Sequence, residues 1–318
     1  MSVSSNEDRF DVPTAFVFPG QGSQEPGMGR PFYEGCARAR TVFERLDAAV
    51  DFELLSLCLE GDGDALRRTR ITQPAVFATG IAAHAAVVDR LERVPQYVSG
   101  HSLGQYTALA AAGGLDPRTG VALVRKRGEV MERACEGVSG RMVAVLFVDP
   151  ETVAAVCDGR DRLDVAGFNG PRQTVISGTE TAVEAAVETL QETTGGPCRV
   201  VDLEVGEAFH SPVVAPAERR FVDELEACSL ADELRSPVVS DTTADVHEAP
   251  GEVVADLESQ ITAAIDWRGV VDALREWGVE QYVEFPPAGT LGDLIAESHP
   301  GARVVTLESP GDVGEIER

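Results

Sequence analysis

Along this chain, short unbroken apolar runs alternate with longer stretches in which apolar residues recur every three to four positions. Thr14-Ala15-Phe16-Val17-Phe18 is a run of the first kind, the pattern of a strand buried on both faces. Tyr97-Val98 ends another, and Pro237-Val238-Val239-Ser240 and Gln281-Tyr282-Val283-Glu284-Phe285 repeat it nearer the C-terminus. Helical spacing predicts helices from about Pro31 to Val50, Ala75 to Leu91, Thr107 to Ala112, Arg118 to Cys135, Glu252 to Ile261 and Trp267 to Trp277. Thr72 reads as an N-cap with Pro74 in the first turn, and Asp116-Pro117 as the start of the helix after it. Strands that alternate with helices in this way predict a mostly parallel α/β sheet.

Between Ser139 and about Val205 the pattern changes. A strand (Arg141 to Phe147) precedes a helix opening at Asp149-Pro150, then two strands near Asp164–Phe168 and Gln173–Ser177, a helix (Thr179 to Glu192) and a strand (Cys198 to Leu203). This β-α-β-β-α-β order is ferredoxin-like. The expected architecture is therefore an α/β-hydrolase-like body from residues 1–138 and 206–318, with a ferredoxin-like (βαββαβ) subdomain inserted at 139–205. The acidic tail from Ser309 is expected to fray.

Charge changes the picture more than size does. Lys+Arg 27 against Asp+Glu 53 gives a net charge of −26 over 318 residues, and Lys126 is the only lysine. The carboxylates are dispersed rather than gathered in a tail, as on a surface adapted to molar salt, where the Debye length is only about 3 Å. The expectation is a cytoplasmic protein of a salt-accumulating cell. The same charge excludes nucleic acid as a partner. Residues 1–12 carry neither a basic n-region nor an apolar h-region, and no run approaches the ~20 apolar residues of a membrane span, so no membrane is expected. The scattered cysteines form no C-x-x-C pair, and the histidines have no metal-ligand spacing, so neither a metal nor a bound cofactor is expected. A monomer is expected.

The chemistry concentrates at Gly100-His101-Ser102-Leu103-Gly104, a Gly-x-Ser-x-Gly spacing between a strand and an Ala-rich helix. A serine on such a sharp turn needs neighbours without a Cβ, and it lies over a helix N-terminus that favours developing negative charge. Pro19-Gly20-Gln21-Gly22-Ser23-Gln24 follows the first strand, at the sheet edge where ligands bind in open α/β folds; no Gly-Lys-Ser/Thr follows, which excludes a P-loop. A serine nucleophile needs a base. His101 is its neighbour in sequence but points elsewhere on a turn, whereas His210, in Phe209-His210-Ser211-Pro212 after the inserted segment, lies where a loop returns to the body. Elbow and histidine by themselves serve a serine thioesterase or hydrolase equally well.

Phe18-Pro19-Gly20-Gln21-Gly22-Ser23-Gln24, Gly100-His101-Ser102-Leu103-Gly104, Arg127-Gly128 with Met131, Phe168-Asn169 with Val175-Ile176-Ser177-Gly178, and Phe209-His210-Ser211-Pro212 occur in this order. The set resembles the malonyl-CoA:acyl carrier protein transacylases and the related acyltransferase domains of polyketide synthases, from about Thr14 to Ile295. The resemblance implies Ser102 as the acylated nucleophile and His210 as its base, supported by a backbone carbonyl at Gln260. It implies an oxyanion hole from the backbone N–H groups of Gln21 and Leu103. Arg127 would grip the free malonyl carboxylate, a task suited to a guanidinium fork. Phe209, His101 and Asn169 would contact substrate. Phe209 and Leu103 match the malonyl-selective pattern of the polyketide relatives. The implied reaction is ping-pong transfer of malonyl from coenzyme A, as thioester substrate, to an acyl carrier protein, with Arg67-Arg68-Arg70 or Arg219-Arg220 as candidate docking clusters. Gln105 stands where many members carry Glu, and Glu284-Phe285-Pro286-Pro287-Ala288-Gly289-Thr290-Leu291 is an altered form of the family's Glu-x-Gly-Pro-Gly-x-x-Leu.

Overall fold

The computed structural model describes residues 9–317 other than 62, 195–197, 204 and 206. The chain begins with β1 (Thr14–Phe18), α1 (Arg30–Gly35), α2 (Ala37–Asp47), α3 (Leu54–Glu60), α4 (Thr69–Leu91), β2 (Tyr97–Gly100), α5 (Leu103–Ala111) and α6 (Pro117–Cys135). A second group follows: β3 (Gly140–Leu146), α7 (Pro150–Cys157), β4 (Leu163–Gly170), β5 (Gln173–Thr179), α8 (Glu180–Thr193) and β6 (Arg199–Asp202). The chain ends with α9 (Ala215–Glu226), β7 (Val238–Val239), β8 (Val246–His247), α10 (Pro250–Leu257), α11 (Trp267–Glu276), β9 (Gln281–Glu284), α12 (Thr290–Ser298) and β10 (Arg303–Thr306).

The result is a mixed α/β fold. Its larger sheet runs β10-β9-β1-β2-β7-β8, parallel throughout except for the antiparallel β7–β8 edge. Parallel strands carry apolar residues on both faces because helices cover both. Accordingly Phe16 and Phe18 of β1 belong to one core cluster, and Ala15 and Val17 to another on the opposite face with Trp267, Val270 and Leu274 of α11. The four-stranded sheet is antiparallel in the order β4-β5-β3-β6, with α7 and α8 closing a core of its own around Val143, Ile176, Val183 and Leu190. It is stitched to the body where Phe168 N–H donates to the Ile265 carbonyl (2.7 Å) and Ile265 N–H to that of Ala166 (3.0 Å).

Four expectations need amending. Helix α4 begins at Thr69, not after Thr72, with Pro74 inside it. The Thr72 hydroxyl donates to the Leu66 and Arg68 carbonyls instead of capping, so satisfied side chains and packing carry the helix through a proline that costs it one backbone bond. The same helix, at 23 residues and mean hydropathy 1.4 over its most apolar window, is long and apolar enough to cross a membrane by length and composition. Its place explains the composition: 83% of that window is buried, between α2 and α6. The tail from Ser309 does not fray. Pro310–Glu315 forms a 3-10 helix capped by Ser309 and Asp312, Val313 and Ile316 are buried, and Gln281 donates to the Ile316 carbonyl. The helical stretch at 31–50 is two helices that break at Cys36. The leader-free reading of the N-terminus rests mostly on residues 1–8, which lie outside the described residues, as does Gly206, where the body was expected to resume.

Candidate active site

Parallel strands place their carboxyl ends on one edge, and the loops leaving β1, β2, β7 and β9 meet there. The loop after β2 is the tightest. Ser102 takes φ 51°, ψ −102°, strain that a non-glycine residue bears only where its surroundings impose it. Its flanking glycines are obligatory. A Cβ on Gly104 would collide with the Phe18 carbonyl, and one on Gly100 with the Gly104 carbonyl. Gln105 fastens the turn from below, accepting from Gly100 N–H (3.0 Å) and donating to the Val239 carbonyl (2.8 Å). That double role needs an amide.

His210, also at positive φ (52°), comes from the loop before α9, and its Nε2 lies 2.9 Å from Ser102 Oγ. Its Nδ1 faces two carbonyl oxygens, Gln260 at 3.1 Å and Ala263 at 2.9 Å. Carbonyls only accept, so Nδ1 carries the proton and Nε2 presents its lone pair to the serine hydroxyl. Burial, and after it the positive charge of the neighbouring Arg127, lowers the His210 pKa to about 3. The imidazole is therefore neutral at rest.

Of the cationic cluster on α6, only Arg127 turns inward, 1% exposed, its guanidinium over the Tyr106 ring. One of its NH2 groups donates both to Ser102 Oγ and to Gln260 Oε1, each at 3.1 Å. Arg125 is instead spent on Asp51 (2.8 Å) and Glu129 (3.1 Å), and exposed Lys126 on Glu129. His101 Nε2–H donates to Asn169 Oδ1 (3.0 Å), an acceptor fixed by the Asn169 amide's own donation to Gln173.

Gln21, His101, Ser102, Arg127, Asn169, Phe209 and His210 line one cavity of about 590 Å³ between the two sheets. Gln260 and Leu103 do not line it. Gln260 lies beneath as a bridge, and Leu103 opens α5 with its side chain in the core. The altered loop after β9 is part of the wall: buried Glu284 accepts from Leu291 N–H (2.8 Å), and Thr290 and Leu291 face the cavity. Such a constellation can activate a hydroxyl and hold an anionic group beside it.

Residues 15–293 match the model of the acyl transferase domain. The chain belongs to the malonyl-CoA:acyl carrier protein transacylase family. It is an acyltransferase. It is 35% identical over 303 residues to the malonyl CoA-acyl carrier protein transacylase of Bacillus subtilis (strain 168), covering 93% of each chain. Among solved structures, the malonyl-CoA:acyl carrier protein transacylase of Xanthomonas oryzae pv. oryzae superposes with a TM-score of 0.91 at 32% identity, over 96% of this chain and 98% of that one. A malonyl-transacylase solved in complex with its type II PKS acyl-carrier protein superposes at 0.90 with 26% identity, over 95% and 98%.

One residue at this site escaped sequence reasoning. Asp241, two positions past β7, is fully buried. Its Oδ2 accepts from the Ser102 backbone N–H (2.7 Å), and both its oxygens lie 3.0 Å from Gln260 Nε2. Burial raises its pKa to about 7. A carboxylate at the carboxyl end of a buried run was the available signal.

Proposed function

We propose that this acyltransferase moves malonyl groups from malonyl-CoA to the thiol of an acyl carrier protein through an ester on Ser102. The observation that carries the reading is one oxygen with two partners: Ser102 Oγ lies 2.9 Å from His210 Nε2 and 3.1 Å from Arg127, on the wall of a single cavity. Ser102 Oγ attacks the thioester carbonyl while its proton passes to His210 Nε2. The oxyanion sits beneath the N–H groups of Gln21 and Leu103, the latter at the α5 N-terminus. Collapse expels the coenzyme A thiolate, which takes the proton back from His210. The carrier thiol then repeats the sequence in reverse. Arg127 pairs with the malonyl carboxylate, and that pairing offsets one of the causes holding His210 so weakly basic. The imidazole becomes a stronger base only in the loaded site.

A water-consuming thioesterase shares the dyad but has no use for a buried guanidinium aimed at the acyl group. In this reading the body is α/β-hydrolase-like, and residues 139–205 form a ferredoxin-like insert whose strand order reads β6-β3-β5-β4. Arg67 lines the cavity, and Arg68 and Arg70 line the depression beside it together with Glu132, Glu136 and Glu207; nearness to the cavity favours this cluster over Arg219-Arg220 as the docking patch for a carrier. The dispersed net charge of −26 suits a salt-rich cytoplasm.

Incubation with malonyl-CoA in molar salt, followed by intact-mass and peptide analysis, tests the reading. The expected result is a stable malonyl adduct on Ser102 that is discharged onto a carrier thiol and is absent in Ser102→Ala. Hydrolysis to free malonate with no transfer would overturn it.

A further inference from the structure

Arg127 does not meet an incoming carboxylate alone. Its NH2 group donates to Gln260 Oε1, and Gln260 Nε2 donates to Asp241, so a buried acid already stands one amide away from the guanidinium. The groups facing Asp241 are few. Helix α5 offers Tyr106, α6 offers Arg127, and α10 offers Asp256, whose oxygens are held by the Ser240 and Thr242 hydroxyls and approached by His247 at 3.8 Å. Asp266 donates its backbone N–H to the Asp241 carbonyl and spends its carboxylate on the α11 cap, while His210 and His101 lie beyond Arg127 and Ser102. Arg127 is thus the one cation among the described groups that offsets a charge on Asp241. A malonyl carboxylate would make a second claim on it. In a buried site one guanidinium cannot balance two carboxylates without a cost of several-fold to many-fold in affinity.

We propose that Asp241 is a specificity-determining positioning residue: the malonyl carboxylate pairs with Arg127 as Asp241 takes up one proton, whereas acyl groups lacking a carboxylate bind without proton uptake. This rests on the transferase reading above. The geometry accommodates the proton. Ser102 N–H and Gln260 Nε2 both reach Oδ2, at 2.7 Å and 3.0 Å, so these two contacts stay in place when Oδ1, which Gln260 Nε2 also approaches at 3.0 Å, takes the proton. Burial supplies the readiness, having already lifted the Asp241 pKa to about 7. Asparagine at 241, with its oxygen in the Oδ2 position, would keep the contacts from Ser102 N–H and Gln260 Nε2 to that atom and remove the charge, while its NH2 would replace the Oδ1 acceptor facing Gln260 Nε2 with a donor.

The test is the ratio of kcat/KM for malonyl-CoA to that for acetyl-CoA, measured in molar salt from pH 6 to 9 on the wild type and Asp241→Asn. Taking the ratio cancels the steps that the two thioesters share; the extra basicity that malonyl gives His210 would raise the ratio with pH, opposite in sign to the fall expected here. In the wild type the ratio should fall as pH rises above 7, approaching tenfold per unit for one proton. In Asp241→Asn it should be flat, and at pH 8.5 about tenfold or more above the wild type. A flat wild-type ratio, or an unchanged slope in Asp241→Asn, overturns the proposal. Should Asp241→Asn fail to fold by circular dichroism, the wild-type profile alone decides. Absence of a Ser102 adduct from either thioester overturns the transferase reading and this inference with it; adducts from both with a flat ratio overturn this inference alone.

Discussion

If Arg127 holds the malonyl carboxylate as proposed, replacing it with alanine separates substrate recognition from bond-making. The side chain is 1% exposed, it lines the cavity, and its Nε has no hydrogen-bond partner among the described residues. Removing one partner of a buried, hydrogen-bonded charge pair costs about 2–5 kcal/mol, which is about 30-fold to about 5,000-fold in kcat/KM for malonyl-CoA. Acetyl-CoA has no carboxylate to lose. Its acylation forfeits only the 3.1 Å contacts from Arg127 to Ser102 Oγ and to Gln260, about 1.5–3 kcal/mol for a bond from a charged donor. Malonyl-CoA shares that loss in addition to that of its carboxylate partner, so it cancels from the ratio of the two. Part of that loss is returned, because without the neighbouring cation His210 becomes more basic. Single-turnover acylation of Ser102, followed by intact-protein mass spectrometry with each thioester, should show the malonyl-to-acetyl ratio falling by at least about 30-fold in Arg127→Ala. Equal losses for the two substrates would mean that Arg127 supports the nucleophile's fold and does not read the acyl group.

Other perturbations bear on separate parts of the argument. Gly104→Ala drives a Cβ into the Phe18 carbonyl, a collision with backbone that should cost about 1–3 kcal/mol and abolish Ser102 acylation; a wild-type melting temperature with full activity would contradict the elbow geometry. Phe209→Ala enlarges the cavity beside His210 and should raise methylmalonyl-CoA use relative to malonyl-CoA by about 10-fold to 200-fold, as competition assays would read. Burial holds His84, among the rings of Phe16, Phe18 and Phe285, at a pKa of about 4 against an ordinary 6.5. Between those values the unfolded chain binds the extra proton, so this histidine's contribution to stability is intact above pH 6.5 and is lost as pH falls. Denaturant midpoints of the wild type and His84→Phe should diverge by up to about 1.4 kcal/mol per pH unit on acidification from 6.5 to 4, and parallel curves would refute the shift. Lowering salt from about 2 M to 0.1 M lengthens the Debye length from a few ångströms to about 10 Å, so the net charge of −26 should destabilise the fold steeply; an unchanged melting temperature would remove the case for a salt-adapted surface.

Local features were legible in the sequence wherever one short segment answers to its own backbone. The run Thr14–Phe18 had to be a buried strand, and Gly100-x-Ser102-x-Gly104 had to be a turn too crowded for side chains at its ends, because both follow from sterics within a few residues. The β-α-β-β-α-β order of residues 140–202 was likewise written in its periodicity. What the pattern left open were matters of long-range partnership. Nothing local says that Arg127, of three adjacent cations, is the one turned inward; α6 amphipathicity and its packing on α4 select it. Nothing local ties the acidic tail down, since Ile316 is held by Gln281 and Arg303 donates to the Glu315 carbonyl from β10. Asp241 reads as a loop carboxylate until the sheet sets it beneath Ser102, 139 positions away in the chain. Burial, and the charge states it imposes on His210 and Asp241, belong to no segment by itself, because desolvation is a property of everything packed around a group.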